Sequence, residues 1–163
     1  MPKPAIDTET RAESDDHGAI RLWLRMLATN RLVETRTRRL LQERFSTTLP
    51  RFDLMAQLER SPQGLRMNEL SRRMMVTGGN VTGITDMLEQ EGLVERVADP
   101  ADRRVWRVRL TRAGRRAFTG MAQEHERWIV EAFAELSTRE MNAMAGLLGR
   151  LKTHVRSLEG SDA

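Results

Sequence analysis

Residues Gly78–Thr111, GGNVTGITDMLEQEGLVERVADPADRRVWRVRLT, decide the fold: a short helix, a stop and an arginine-studded β-hairpin follow one another without a spacer. Val81, Ile84 and Leu88 recur at spacings of three and four and predict one apolar helix face. Asn80, Thr82, Gly83, Thr85 and Asp86 then fall on the outward face, which is small and polar. Such a face can lie against base edges in a major groove, where amides and hydroxyls donate or accept hydrogen bonds. Thr77 is the expected N-cap and Gly92 the expected stop.

After Gly92 the pattern changes to two β-rich runs, Leu93–Val97 and Arg103–Leu110, joined by the turn-prone Ala98-Asp99-Pro100-Ala101-Asp102. That is a hairpin. Asp102 stands two residues before Arg104, close enough to hold its guanidinium at the tip by a charge-assisted bond. An arginine so fixed suits a narrow, negative minor groove, although the same pair could simply brace a surface turn.

Upstream, Leu65-Arg66-Met67 is a candidate short strand, and Asn68 a candidate N-cap for a helix over 68–75. Two short helices, 68–75 and 78–91, about three residues apart, make a helix-turn-helix with the second placed to read DNA. The residues expected at the DNA are Arg72, Arg73, Gly79, Asn80, Thr82, Gly83, Thr85, Asp86, Arg103 and Arg104.

On either side lie longer helical patterns. Ala19–Phe45 carries Ile20, Trp23, Leu24, Leu27, Val33, Leu40 and Leu41 on a broad apolar stripe without Pro or Gly, more than a lone small domain would cover. Thr47–Pro50 opens a second helix with Phe52, Leu54, Met55 and Leu58. Thr111 caps another bearing Phe118, Met121 and Trp128, and Ser137 with Glu140 resembles the capping box of a final helix. The fold class expected is mainly α with a small β-wing: an acidic disordered tail over 1–18, a dimerisation helix over 19–48, a winged helix-turn-helix over 49–110, C-terminal dimerisation helices over 111–158 and a tail over 159–163. The helices could instead close a monomeric core, but recognition of half-sites needs a two-fold partner.

Composition excludes several chemistries. The 163 residues contain no cysteine, which removes disulfides, thiol catalysis, thiol-based oxidant sensing and cysteine-ligated metals. His17, His125 and His154 are scattered, so neither a metal site nor a cofactor is expected. No carboxylate pair, nucleophile with its base or Gly-rich phosphate loop stands out, and no enzyme is expected. No apolar run is long enough to span a membrane and no secretion signal opens the chain, which leaves the cytoplasm. The net charge of +4 is unevenly placed: Arg103–Arg116 contains seven arginines and no acid, the pattern of a phosphate-binding edge, unless genomic base composition alone has favoured arginine.

The order of elements, and above all Asp102, one residue, Arg104, five residues, then Leu110-Thr111, with RAGR behind, resembles the MarR family of winged helix-turn-helix regulators over residues 19–158. The resemblance implies a homodimer on a palindromic double-stranded DNA operator, acting as a repressor, with Asp102 and Arg104 at the positions of the wing salt bridge. It also implies a small-molecule effector between the dimer helices and the reader, near Trp23, Leu27, Asn30, Phe52, Met55 and Trp128. GGNVTG, TLPRFDLMAQLER and HERWI are further similar to regulators of aromatic acid catabolism that answer to hydroxycinnamoyl-CoA thioesters. That implies an aromatic acid or its CoA thioester as ligand, with Arg36, Arg38 and Arg39 on the CoA phosphates; these arginines could equally be a solvated face or DNA-flanking charge. An interaction module that uses the winged surface for protein, with no small-molecule ligand, is the alternative.

Overall fold

The computed structural model describes residues 17–75 and 77–159. The tails expected over 1–18 and 159–163 lie outside the described residues, except that His17 and Gly18 open the first helix and Glu159 closes the last. Among the described residues, six helices and three strands follow in the order α1 (Gly18–Phe45), α2 (Leu49–Glu59), β1 (Leu65–Arg66), α3 (Met67–Met74), α4 (Gly78–Gln90), β2 (Val94–Ala98), β3 (Trp106–Leu110), α5 (Arg112–Ala132) and α6 (Thr138–Glu159). The fold is mainly helical with one small antiparallel sheet, ordered β1-β3-β2.

Two compact units divide the chain, one up to Glu126 and one from Arg127 on. In the first, Leu41, Leu54, Met55, Leu58, Leu70, Val81, Leu88 and Val108 are at most 1% exposed and form its core. The sheet closes over this core by register: Val94 faces Leu110, Val97 faces Arg107, and Leu65 faces Val108. Alternation along β3 puts Trp106, Val108 and Leu110 on one face; Val108 and Leu110 are buried in the core, while Trp106, at the wing end of the strand, is exposed.

Punctuation residues set the element ends. Gly92 takes a left-handed φ of +69° just past α4, and Leu93 N–H closes on the Leu88 carbonyl at 2.9 Å. Thr111 caps α5 as expected, its Oγ1 accepting from Gly114 N–H at 3.0 Å. Gly114 has no room for a side chain: a Cβ there would stand 1.8 Å from the Leu93 carbonyl oxygen. The first turn of α5 thus rests directly on the backbone where the wing begins.

One cap expectation needs correction, and a second holds in position but not through its side chain. Asn68 is inside α3, not before it; Arg66 is the N-cap, and Glu69 reaches back to accept its N–H at 2.8 Å. Thr77 is the N-cap of α4, but its hydroxyl makes no cap bond, and its carbonyl takes the N–H groups of Asn80 and Val81.

In the second unit Ser137 and Glu140 form the expected capping box, with Ser137 N–H donating to the carboxylate at 2.8 Å. Along α6, Met141, Met144, Leu147, Leu148, Leu151, Val155 and Leu158 recur on one stripe and are 37–62% exposed. In the first unit, the N-terminal half of α1 likewise exposes Ile20, Leu22 and Trp23.

Candidate nucleic-acid interface and effector cavity

α3 and α4 are consecutive short helices packed on one another, the arrangement of a helix-turn-helix. On α4, Gly79, Asn80, Thr82 and Gly83 are exposed, and Thr82 closes locally on the Gly78 carbonyl at 3.0 Å. An open groove of about 700 Å³ runs between the helices, lined by Met67, Asn68, Ser71, Arg72, Met75, Thr77, Gly78 and Thr82. Arg72 lines it as a cation with no ion pair among the described residues, whereas Arg73 donates to Ser61 Oγ at 3.3 Å.

Thr85 does not belong to this surface. It is fully buried, four residues after Val81 and three before Leu88, and its hydroxyl donates to the Val81 carbonyl at 2.8 Å. A hydroxyl that satisfies itself on the preceding turn is compatible with an apolar face. Asp86 is exposed, yet its carboxylate is held by Arg96 of β2, which also pairs with Glu89. Asp86 therefore ties the reading helix to the wing.

At the wing tip the expected ion pair between Asp102 and Arg104 is absent. Asp102 Oδ1 instead accepts the main-chain N–H of Arg104 at 3.0 Å, and the Asp102 carbonyl accepts from Val105 N–H at 2.9 Å. Asp thus serves as a turn former, folding its side chain onto the backbone two residues on. Arg103 and Arg104 remain exposed and, among the described residues, outside any ion pair.

The carboxylate that organises the wing is one that sequence reasoning treated only as turn-prone. Asp99 is 1% exposed and receives Arg66 Nε at 2.8 Å, Arg107 Nε at 2.7 Å and Ala101 N–H at 2.8 Å. The Arg66 hydrogen bond above all, then the Ala101 amide and Arg107, hold its carboxyl well below the usual carboxylate range. Arg107 also donates to the Gly64 carbonyl at 3.1 Å, so the wing is clamped to the segment before α3.

The acid-free arginine run is therefore not one phosphate edge. Arg107 meets Asp99, Arg109 meets Glu95 at 2.7 Å, and Arg115 meets Glu59 at 3.6 Å. Acids from other elements neutralise these three, and among the described residues Arg103, Arg104, Arg112 and Arg116 meet no acid.

The residues expected around an effector are only partly brought together. Phe52 is core, its ring 5.4 Å from Phe118 and 4.8 Å from His125. Trp23 and Asn30 are exposed, Leu27 is half-buried, and Trp128 is buried in the second unit. Met55, however, lines a cavity of about 520 Å³ in the first unit, together with Phe45, Arg51, Leu93, Arg116 and Met121. Arg51 was not anticipated there. Its Nη2 pairs with Glu91, the C-cap of α4, while its buried Nε has no partner. A second groove, of about 630 Å³, lies between the end of α1, the start of α2 and α4. Arg38 and Arg39 line it with Asn80 and Ile84; on α1 they pair with Glu34 and Glu43, and Arg36 is exposed outside that lining.

Among the described residues no cluster of side chains fits a metal ion, and no helix is long and apolar enough to cross a membrane.

A family model described as MarR family matches residues 47–106. A MarR family transcriptional regulator from Silicibacter pomeroyi is 34% identical, with 87% of this chain covering 99% of that one and a TM-score of 0.72. The transcriptional activatory protein BadR of Rhodopseudomonas palustris is 27% identical over 100% of this chain and 94% of its own length. Sco3205 from Streptomyces coelicolor, a MarR family regulator solved in complex with DNA, shares the fold at a TM-score of 0.74, with 22% identity over 86% of this chain and 89% of that one. With several other curated relatives the match spans 58–64% of their length.

Proposed function

The chain belongs to the MarR family, and we propose that it is a homodimeric, ligand-responsive, cytoplasmic regulator of transcription that binds a palindromic operator. The observation that carries this reading is the exposed polar face of α4, Gly79, Asn80, Thr82 and Gly83, together with the exposed cations Arg72 on α3 and Arg103 and Arg104 in the wing turn, which make no ion pair among the described residues. The first can approach base edges, and the second can meet phosphates or enter the minor groove. The DNA-bound Streptomyces neighbour supports the same use of the fold.

Dimerisation is supported by the two apolar faces left open, on the N-terminal half of α1 and along α6. A second copy would cover them and set two reading helices about 34 Å apart, one turn of DNA. Whether occupancy represses or activates depends on where the operator lies; repression is expected where it overlaps the promoter, while the Rhodopseudomonas relative is an activatory protein.

As effector we propose an aromatic acid or its CoA thioester. The Arg51 cavity offers apolar walls and a guanidinium with one unpartnered buried N–H, suited to a carboxylate on an aromatic body. A ligand that takes Arg51 competes with Glu91 at the end of α4, which couples the cavity to the reader. The groove of Arg38 and Arg39 beside Asn80 would take the phosphates of a thioester.

Anisotropy on a duplex selected by the protein tests the DNA part: affinity should fall steeply with salt, and a flat response would favour a protein-interaction module. A thermal-shift comparison of free aromatic acids with their CoA thioesters tests the effector. Arg51→Gln should abolish the response to acids, and a joint Arg38→Ala and Arg39→Ala change the response to thioesters; responses unchanged in both would sink the ligand assignment.

A further inference from the structure

We propose that Met75 is a specificity-determining residue of the reader, packing its thioether against a thymine methyl group in the major groove. The inference rests on the DNA-binding reading above. Met75 ends α3 in the left-handed region, φ 54° and ψ 39°, where glycine sits without steric cost and a side chain does not. Its side chain is also 91% exposed, more than any other large hydrophobic among the described residues. Folding gains nothing from either property, since a glycine would remove both penalties at once.

The exposed apolar residues of α6 differ, because they form a periodic stripe suited to another helix. Met75 stands apart from any such stripe; Met67 shares the groove, and the polar neighbours of Met75 there include Arg72, Thr77 and Thr82. These are a cation and two hydroxyls, the groups that meet phosphates and base edges. An apolar, unbranched and polarisable side chain among them has one matching feature on duplex DNA, the 5-methyl of thymine, which only that base presents in the major groove.

The protein first selects duplexes from a random-sequence library, and each thymine of the selected half-site is then replaced singly by uracil, which deletes only the methyl. Wild type should lose about fourfold in affinity at one position, the worth of one buried methyl group. Met75→Gly should bind the thymine duplex about fourfold more weakly, show no further loss with uracil there, and melt higher than wild type. Met75→Leu, which keeps an apolar side chain, should retain the loss on uracil. Equal uracil losses in wild type and Met75→Gly at every position, or full affinity of Met75→Gly for the thymine duplex, would overturn the inference while leaving the reader intact. If wild type enriches no duplex, the DNA-binding reading falls and Met75 falls with it.

Discussion

Arg107 Nε lies 2.7 Å from Asp99 Oδ2, and this contact, doubled by Arg66 at 2.8 Å, fastens the wing to the strand before the helix-turn-helix. Asp99 is held below its ordinary carboxylate range by Arg66, the Ala101 amide and Arg107. Since its folded pKa lies below the unfolded value of about 3.9, its contribution is complete above that value and is lost as pH falls toward the folded one. Melting followed from about pH 5 to pH 3 should therefore show a steeper fall for wild type than for Asp99→Asn, which should also melt lower at neutral pH. Parallel profiles would remove Asp99 as the clamp.

Asp102 holds the main chain of Arg104 at 3.0 Å, and the two residues have separable roles. Asp102→Asn keeps an oxygen acceptor for that N–H and should bind DNA close to wild type, whereas Asp102→Ala should loosen the tip. Arg104→Ala should cost roughly 1 to 3 kcal/mol of operator affinity if the guanidinium enters a groove. Mobility-shift titrations settle the comparison; an Asn variant as weak as Arg104→Ala would mean that a side-chain ion pair forms on DNA.

The parts of the reader legible in the sequence were those fixed by local chemistry. Apolar spacing in Val81–Leu88 placed α4, Gly92 stopped it, and Asp-Pro turn residues separated β2 from β3. Relationships across the chain were not legible. Asp99 acquires its role from Arg66, thirty-three residues away, and three arginines of the acid-free run Arg103–Arg116, namely Arg107, Arg109 and Arg115, are neutralised by Asp99, Glu95 and Glu59 from other elements. Thr85 was assigned to DNA because it is polar, although 81, 85 and 88 share a helical face as well as 81, 84 and 88 do. Arg51 lay unnoticed in a helix read for its apolar residues, and only the folded chain sets it against Glu91.

Thr85→Val follows from that correction. The methyl group stays on the buried face, and the hydroxyl, bonded only within its own helix turn and to Met67 sulfur, is replaced by a second methyl. Operator affinity should remain within about twofold of wild type, with stability changed by less than about 1.5 kcal/mol. A large affinity loss at unchanged stability, read by anisotropy beside chemical denaturation, would return Thr85 to the DNA surface.

Gly114→Ala places a Cβ 1.8 Å from a backbone oxygen, a contact that no side-chain rotation relieves. Either α5 or the Leu93 backbone must move, at about 3 kcal/mol or more. Urea denaturation should show that loss, and because Leu93 leads into β2, operator binding should weaken with it. Unchanged stability would mean that α5 rests less closely on the wing.

His125 packs its ring 4.8 Å from Phe52, in the same cluster as Phe118, and burial pushes its pKa below the ordinary histidine value. For a base the sign is fixed: the unfolded chain takes up the proton near pH 6.5 while the folded one resists it. Stability should thus decline as pH falls from about 7 to about 5, a window above that of Asp99. His125→Phe keeps a ring against Phe52 and cannot be protonated, so its melting temperature should stay flat across the same range. A variant that still loses stability there, in step with wild type, would place the titrating group elsewhere, and a variant that loses stability at every pH would show that the imidazole's polar contacts outweigh its ring packing.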